Sequence, residues 1–321
     1  MKILYIGTPQ IYERWKEGKN PSHWLYGAVE MEQDGHTVLW KAEQRGGFHD
    51  VTLVLLNKPD VVFIPTFNFR AHLLLLFLSA IGIIRVPIYT FVHHTPNGGK
   101  LNWLLRFCLN AAAHVFFLSE KTMGETVSAG FIDSKKASVP GWGPDMHFYG
   151  KVETHPGEYF VSTGKEMRDF DILIEAFRKT GVKLKIITCK SHAGNDFRDL
   201  HQKCKGVQNI EVVITENSGS VFPLMLREMA NAKALVCPLM KDKLNYCVGL
   251  STITDAEGLQ KPLIITENPY HSKERTASFK VVKYINDWAR AIEAIERGVD
   301  SSKGKYSMKA CYANMKKIMN L

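Results

Sequence analysis

The chain has 321 residues, 45% of them hydrophobic and 23% charged, with a formal net charge of +9. That length suits two domains, each able to bury its own core, and the composition excludes a disordered chain, a fibrous repeat and a low-complexity tract. The positive excess lies in the C-terminal half, with five lysines (Lys303, Lys305, Lys309, Lys316, Lys317) and no acid in the last 21 residues, which favours an anionic ligand or surface in general terms.

In the first half, strand signals at Lys2–Ile6, Thr37–Trp40, Val61–Pro65, Pro87–Val92 and His114–Leu118 alternate with helix signals. The helices are expected over Ser22–Gln33, Leu73–Ala80 and Leu101–Ala111, with Gly35 closing the first and Ser119 capping another that carries Glu120 in its first turn. Apolar strands between helices predict a parallel sheet covered on both faces. The stretch Leu73 to Ile84 is too short to span a bilayer and reads as a buried helix feeding a buried strand. Proline and glycine gather between Pro140 and Gly157, where a linker is expected and the domains meet.

Alternation resumes with strands at Tyr159–Thr163, Lys183–Thr188, Ile210–Val213, Ala234–Pro238 and Leu263–Thr266, and helices at Asp171–Lys179 and Val221–Ala230. The second half is therefore another doubly wound sheet. Between its last two strands lies Gly249-Leu-Ser-Thr-Ile-Thr-Asp-Ala-Glu-Gly-Leu-Gln-Lys-Pro262, a glycine turn and short helix whose N-terminal N–H groups form a seat for phosphate. Thr252 with Asp255 fits a capping box. The tail from Ser302 to Leu321 repeats Met308, Tyr312, Met315 and Met319 at helical spacing, predicting an amphipathic helix that packs on the first domain or lies on a membrane surface.

The Gly249–Pro262 segment resembles the donor-site motif of retaining GT-B glycosyltransferases of family four, also called group one. Gly35-His36, Phe91-Val-His-His-Thr-Pro96, Leu118-Ser-Glu120, Pro140-Gly-Trp-Gly-Pro-Asp-Met-His-Phe148 and Ser162-Thr-Gly-Lys-Glu-Met-Arg-Asp-Phe-Asp171 are similar to further family motifs, and they stand in the family's order over nearly the whole chain. The resemblance implies an α/β chain with GT-B architecture, two Rossmann-like doubly wound domains facing across a cleft. Residues 1–150 would form the acceptor-side domain, 151–301 the nucleotide-sugar domain, and 302–321 a helix returning to the first. The implied activity is transfer of a sugar from a nucleoside diphosphate-sugar to a glycan, lipid-linked or small-molecule hydroxyl acceptor, with retention and without a metal or cofactor.

Lys165 and Arg168 follow a strand end and Gly164, where cations can hold a diphosphate that gains charge as it leaves; as an alternative they are solvated loop charges, with Arg168 pairing Asp169. Gly249, Leu250, Ser251 and Thr252 would line the phosphate seat. Asp255 matches the family's second glutamate, which holds the donor ribose hydroxyls, or else only returns a capping bond to Thr252. The first glutamate is absent, because Cys247 stands at its position, and Asp242 or Asn245 reaches it only if the loop bends differently. His94, or its neighbour His93, resembles the family's acceptor-side histidine, and Gly7 ends the first strand where backbone can approach a ligand or simply turns before Pro9. Glu257 and Asp145 read as helix-surface and linker residues. The histidines show no His-x-x-x-His pattern, so no metal site is expected.

Six cysteines without Cys-x-x-Cys and a start lacking secretory features predict a cytoplasmic protein, with a peripheral contact at the inner face of the membrane as an accompanying expectation. Nucleic-acid binding is disfavoured because the cations are not interleaved with aromatics. Two rival readings are a non-catalytic sugar-nucleotide-binding subunit, suggested by Cys247 and Gln260, and a sugar-nucleotide epimerase on the same fold.

Overall fold

The computed structural model describes residues 1–43, 45–192, 195–216, 221–298 and 304–321. They divide into two compact units, Met1–Asp145 with Tyr306–Leu321, and Met146–Lys305. The expected boundary at 301/302 and Lys303 lie outside the described residues.

In the first unit the chain runs β1 (Lys2–Tyr5), α1 (Pro9–Lys16), α2 (Ala28–Gln33), β2 (Thr37–Trp40), α3 (Phe48–Asn57), β3 (Val61–Ile64), α4 (Phe69–Ala80), β4 (Ile88–Val92), α5 (Asn102–Leu109), β5 (His114–Phe117), α6 (Glu120–Ser128) and β6 (Ala137–Ser138). The strands form one parallel sheet in the order β2-β1-β3-β4-β5-β6, with β1 between β2 (Lys2 opposite Thr37) and β3 (Ile3 opposite Val61). Apolar residues of the strands and of α3, α4 and α5 fill its core, among them Val62, Ile64, Val54, Leu75, Leu76, Leu105 and Leu109.

Two helices differ from expectation. The span Ser22–Gln33 is a 3-10 turn over Ser22–Leu25 and then α2, because Tyr26 and Gly27 both take left-handed backbone that an α-helix cannot continue through. Helix α4 begins four residues earlier than Leu73, at Phe69, with Asn68 capping the Ala71 amide at 3.1 Å, and its outward side is not buried.

The second unit contains α7 (Met146–Tyr149), β7 (Phe160–Thr163), α8 (Phe170–Thr180), β8 (Leu184–Cys189), the short ribbon β9 (Ser191–His192) and β10 (Asn195–Asp196), α9 (Leu200–Lys203), β11 (Ile210–Thr215), α10 (Phe222–Ala230), β12 (Ala234–Cys237), α11 (Leu250–Leu259), β13 (Leu263–Thr266), α12 (Lys273–Thr276), β14 (Lys280–Val282) and α13 (Ile285–Glu296). Its parallel sheet has the order β11-β8-β7-β12-β13-β14, which is the doubly wound Rossmann order read from one edge. Phe160, Phe177, Ile186, Val236, Ile264, Trp288 and Ile292 lie in one buried cluster.

The tail forms α14 (Met308–Met319) within the first unit. Its apolar stripe, Met308, Tyr312, Met315 and Met319, is buried, while the Tyr312 hydroxyl donates to Asp34 at 2.8 Å and Lys316 to the same carboxylate at 2.6 Å. That stripe is used in packing, which leaves the tail without an apolar face for a bilayer.

Candidate active site

In a doubly wound sheet, ligands bind beyond the C-terminal ends of the strands where the winding direction reverses. In the second unit that point lies between β7 and β12, since β8 flanks β7 on one side and β12 on the other. The loops leaving β7 and β12 are tied together there: the Met240 amide donates to the Met167 carbonyl at 3.0 Å and the Asp169 amide to the Pro238 carbonyl at 3.2 Å.

The loop after β7 turns at Gly164, whose φ of +106° suits glycine, and a Cβ there would stand 2.5 Å from the Arg168 guanidinium. Arg168 folds back under this turn and is only 4% exposed. Its Nε donates to the Thr163 carbonyl at 3.4 Å, one terminal nitrogen to the Glu166 carbonyl at 2.8 Å and the other to the Thr252 hydroxyl at 3.2 Å. The guanidinium carries five N–H groups, so this pattern fixes the cation without exhausting its donors. Asp169 is not its partner but caps α8 by accepting from the Ile172 amide at 3.2 Å. Lys165 is half-buried on the same turn.

Thr252 belongs to the first turn of α11, which starts at Leu250 after Gly249 in left-handed backbone. The expected capping box is absent: Thr252 and Asp255 both lie inside the helix, and no side chain caps Gly249. The turn ahead of the helix is held from behind by two residues the sequence did not single out. Asn268 donates to the carbonyls of Tyr246 and Val248 at 3.0 and 3.1 Å, and the ring Nε2 of His271 lies 2.9 Å from the Val248 carbonyl oxygen. Ser251 is exposed beside the buried Leu250 and Thr252, so a fixed cation and a helix N-terminus meet at the switch point. This arrangement is suited to an anion.

Helix α11 is buried on nearly every side, so each polar residue in it needs a partner. Glu257 is 2% exposed and forms a two-pronged ion pair with Arg275 at 3.0 and 2.6 Å, so it is a core residue and not a helix-surface one. Asp255 accepts from the hydroxyl of Tyr149 on α7, whose ring packs where a Cβ on Gly258 would fall, 2.3 Å away. The expected linker therefore contains a helix that reaches into this core.

Burial pushes the Asp255 carboxyl up to about 7, against the opposing pull of the Tyr149 bond and the Arg168 charge. The native state thus keeps a proton that the unfolded chain releases above pH 3.8, and stability falls as pH rises from there to about 7. Asp255→Asn should remove that loss, becoming more stable relative to the parent by up to ~4 kcal/mol above pH 7. Melting curves of both proteins from pH 4 to 8 measure it, and a difference that does not change with pH would disprove it. The comparison must be made at each pH, because His271, held at about 4 chiefly by burial, contributes an opposite slope as its protonation destabilises the fold in acid.

In the first unit, Gly7 follows β1 against the Tyr5 ring, and His93 and His94 follow β4. His94 is exposed. His93 stacks on Tyr26 with ring centroids 5.4 Å apart, and burial, then the neighbouring His94, lowers its pKa to about 4, so it is neutral at pH 7. Asp145 accepts from the Ser22 amide at 2.8 Å and donates its own amide to His23 at 3.2 Å, a structural role.

No protein-family model matches the chain, and no curated protein matches it significantly in sequence. Solved structures do. Anabaena HepE in complex with UDP-glucose superposes with a TM-score of 0.65 over 100% of both chains at 13% identity. The lipopolysaccharide outer core galactosyltransferase WaaB in its apo form gives 0.59 over 99% of this chain and 95% of that one at 12% identity. The UDP-GlcNAc 2-epimerase of Methanocaldococcus jannaschii in complex with UDP-GlcNAc and UDP gives 0.55 over 100% of both at 12% identity.

The chain has the GT-B fold. Within this GT-B chain, Cys247 is 4% exposed with its thiol pushed up to about 12 by burial, so it takes over none of the chemistry of a carboxylate. Asp242 sits on an exposed 3-10 turn, Lys241–Lys243, and Asn245 is exposed beyond it. A cavity of about 470 Å³ opens beside Thr266, Asn268 and His271, and its lining does not include Gly164, Arg168 or Thr252. Among the described residues no group of His, Cys, Asp and Glu is gathered as a metal site.

Proposed function

We propose that this chain is a glycosyltransferase that moves a sugar from a nucleoside diphosphate-sugar to a hydroxyl acceptor with retention and without a divalent metal. The observation that carries the reading is Arg168, buried at the switch point and bonded to the first turn of α11. A diphosphate placed there would face a fixed cation, the Lys165 ammonium and the N-terminal amides of α11. As the glycosidic bond breaks, charge builds on the departing phosphate, and these preorganised groups stabilise it more in the transition state than in the ground state. The same phosphate oxygen, on the face that the sugar leaves, takes the proton of the incoming hydroxyl. Asp255 would turn from Tyr149 to the ribose hydroxyls, and His94 would donate to a sugar hydroxyl.

A transferase fits a glycan, lipid-linked or small-molecule acceptor equally. The six cysteines are all buried, in keeping with a reducing cytoplasm, and among the described residues no helix is long and apolar enough to cross a membrane. Epimerisation is the second reading, favoured by the shared fold of the UDP-GlcNAc 2-epimerases.

A panel of nucleotides and nucleotide sugars in a thermal melt tests the reading. A ligand of the folded state at one hundred times its Kd adds ~2.7 kcal/mol of stability and raises the Tm, and nucleoside diphosphates are expected to do so more than monophosphates. A panel without any shift would remove the proposed donor site.

A further inference from the structure

The connections β2 to β3, β3 to β4 and β4 to β5 all step the same way across the first sheet, so their right-handed crossovers place α3, α4 and α5 together on one face. The inner sides of these helices fill the core, yet their outer sides are also apolar. Leu56 is 76% exposed, Trp103 67% and Ile83 63%, and Phe77 on α4 meets Phe107 on α5 with ring centroids 6.2 Å apart. A surface this apolar on three neighbouring helices calls for a covering partner.

Charge identifies the partner. From Val61 to Ser119 the sequence contains no Asp or Glu, while Arg70, Arg85, Lys100 and Arg106 are all exposed among the apolar residues. A second copy docked on the same patch across a two-fold axis would bring these cations together without an acid from the stretch to neutralise them. An anionic lipid surface satisfies both features, taking the apolar side chains into the acyl boundary and the cations at its headgroups, with Trp103 at the interface. We propose that the α3–α4–α5 face docks this protein on an anionic bilayer. The inference does not depend on the transferase reading. Its consequence, that a lipid-linked acceptor is favoured over the other two classes, does.

Co-sedimentation of the full chain with phosphatidylcholine vesicles, with and without 30 mol% phosphatidylglycerol as ~3:7 anionic lipid, tests the docking without any nucleotide. Binding is expected to the anionic vesicles and to be at least ~5-fold weaker to phosphatidylcholine alone. The exposed pairs Trp103→Ser with Ile83→Ser, and Arg85→Glu with Lys100→Glu, should each lower the bound fraction by a similar factor with unchanged melts and unchanged nucleoside diphosphate affinity. Brominated lipid should quench the fluorescence of the parent and quench Trp103→Phe markedly less. Failure to bind anionic vesicles, binding that survives both double variants, or a dimer in size-exclusion chromatography that the same substitutions dissolve would overturn it.

Discussion

Arg168→Ala is expected to reduce nucleoside diphosphate affinity at least ~10-fold, because a hydrogen bond to a charged group contributes about 1.5 to 3 kcal/mol and the guanidinium is already held in place before the ligand arrives. It should also lower the Tm, since the Thr163 and Glu166 carbonyls and the Thr252 hydroxyl lose a buried donor. The two effects separate in Arg168→Lys, which keeps the charge and loses the fork that reaches three partners at once. Calorimetric titration with a nucleoside diphosphate should rank parent, lysine and alanine in that order. An unchanged affinity in the alanine variant would leave Arg168 as a staple between two loops and move the diphosphate elsewhere.

His94→Ala should lower turnover by ~100-fold while nucleotide affinity stays within a factor of ~3, because positioned proton donors act on the reacting group and His94 belongs to the other unit. The adjacent histidine supplies the control. His93 is stacked on Tyr26 and neutral at pH 7, so His93→Asn should lower the melting temperature and leave the rate per folded molecule nearly unchanged. Steady-state kinetics and a nucleotide titration on both variants decide between them. Equal loss of turnover and nucleotide affinity in His94→Ala would place that histidine with the donor.

The sheets were legible in the sequence because their strands are short apolar runs between glycine and proline turns, and both doubly wound units follow from that alternation. The order of strands was not, since nothing local in Phe160–Thr163 records that it lies between β8 and β12. Local chemistry misled at α11. Thr252 and Asp255 have capping-box spacing, but partners distant in sequence, Arg168 and Tyr149, claim their oxygens, and such contacts leave no periodic signal. Glu257 appeared to be a surface charge because its partner Arg275 lies on a four-residue helix beyond the next strand. Helix α3 went unread for the opposite reason: Phe48, Leu55 and Leu56 face outward, so its apolar residues do not form one stripe. Asn268 and His271 had no motif to mark them, although a polar residue just after a buried strand such as Leu263–Thr266 is where anchors of a binding turn are placed.

Sugar transfer from a nucleoside diphosphate donor can be read by phosphorus and proton NMR of one reaction mixture. The protein is mixed with a panel of UDP-sugars and hydroxyl acceptors, and the diphosphate and anomeric resonances are followed together. Transfer with retention releases free nucleoside diphosphate in step with a new glycosidic anomeric proton of the donor's own configuration, which is the expected result. A new sugar-nucleotide signal without nucleotide release would make the chain an epimerase, and unchanged spectra across the panel despite nucleotide binding would make it a non-catalytic binding protein; either result would contradict the transferase.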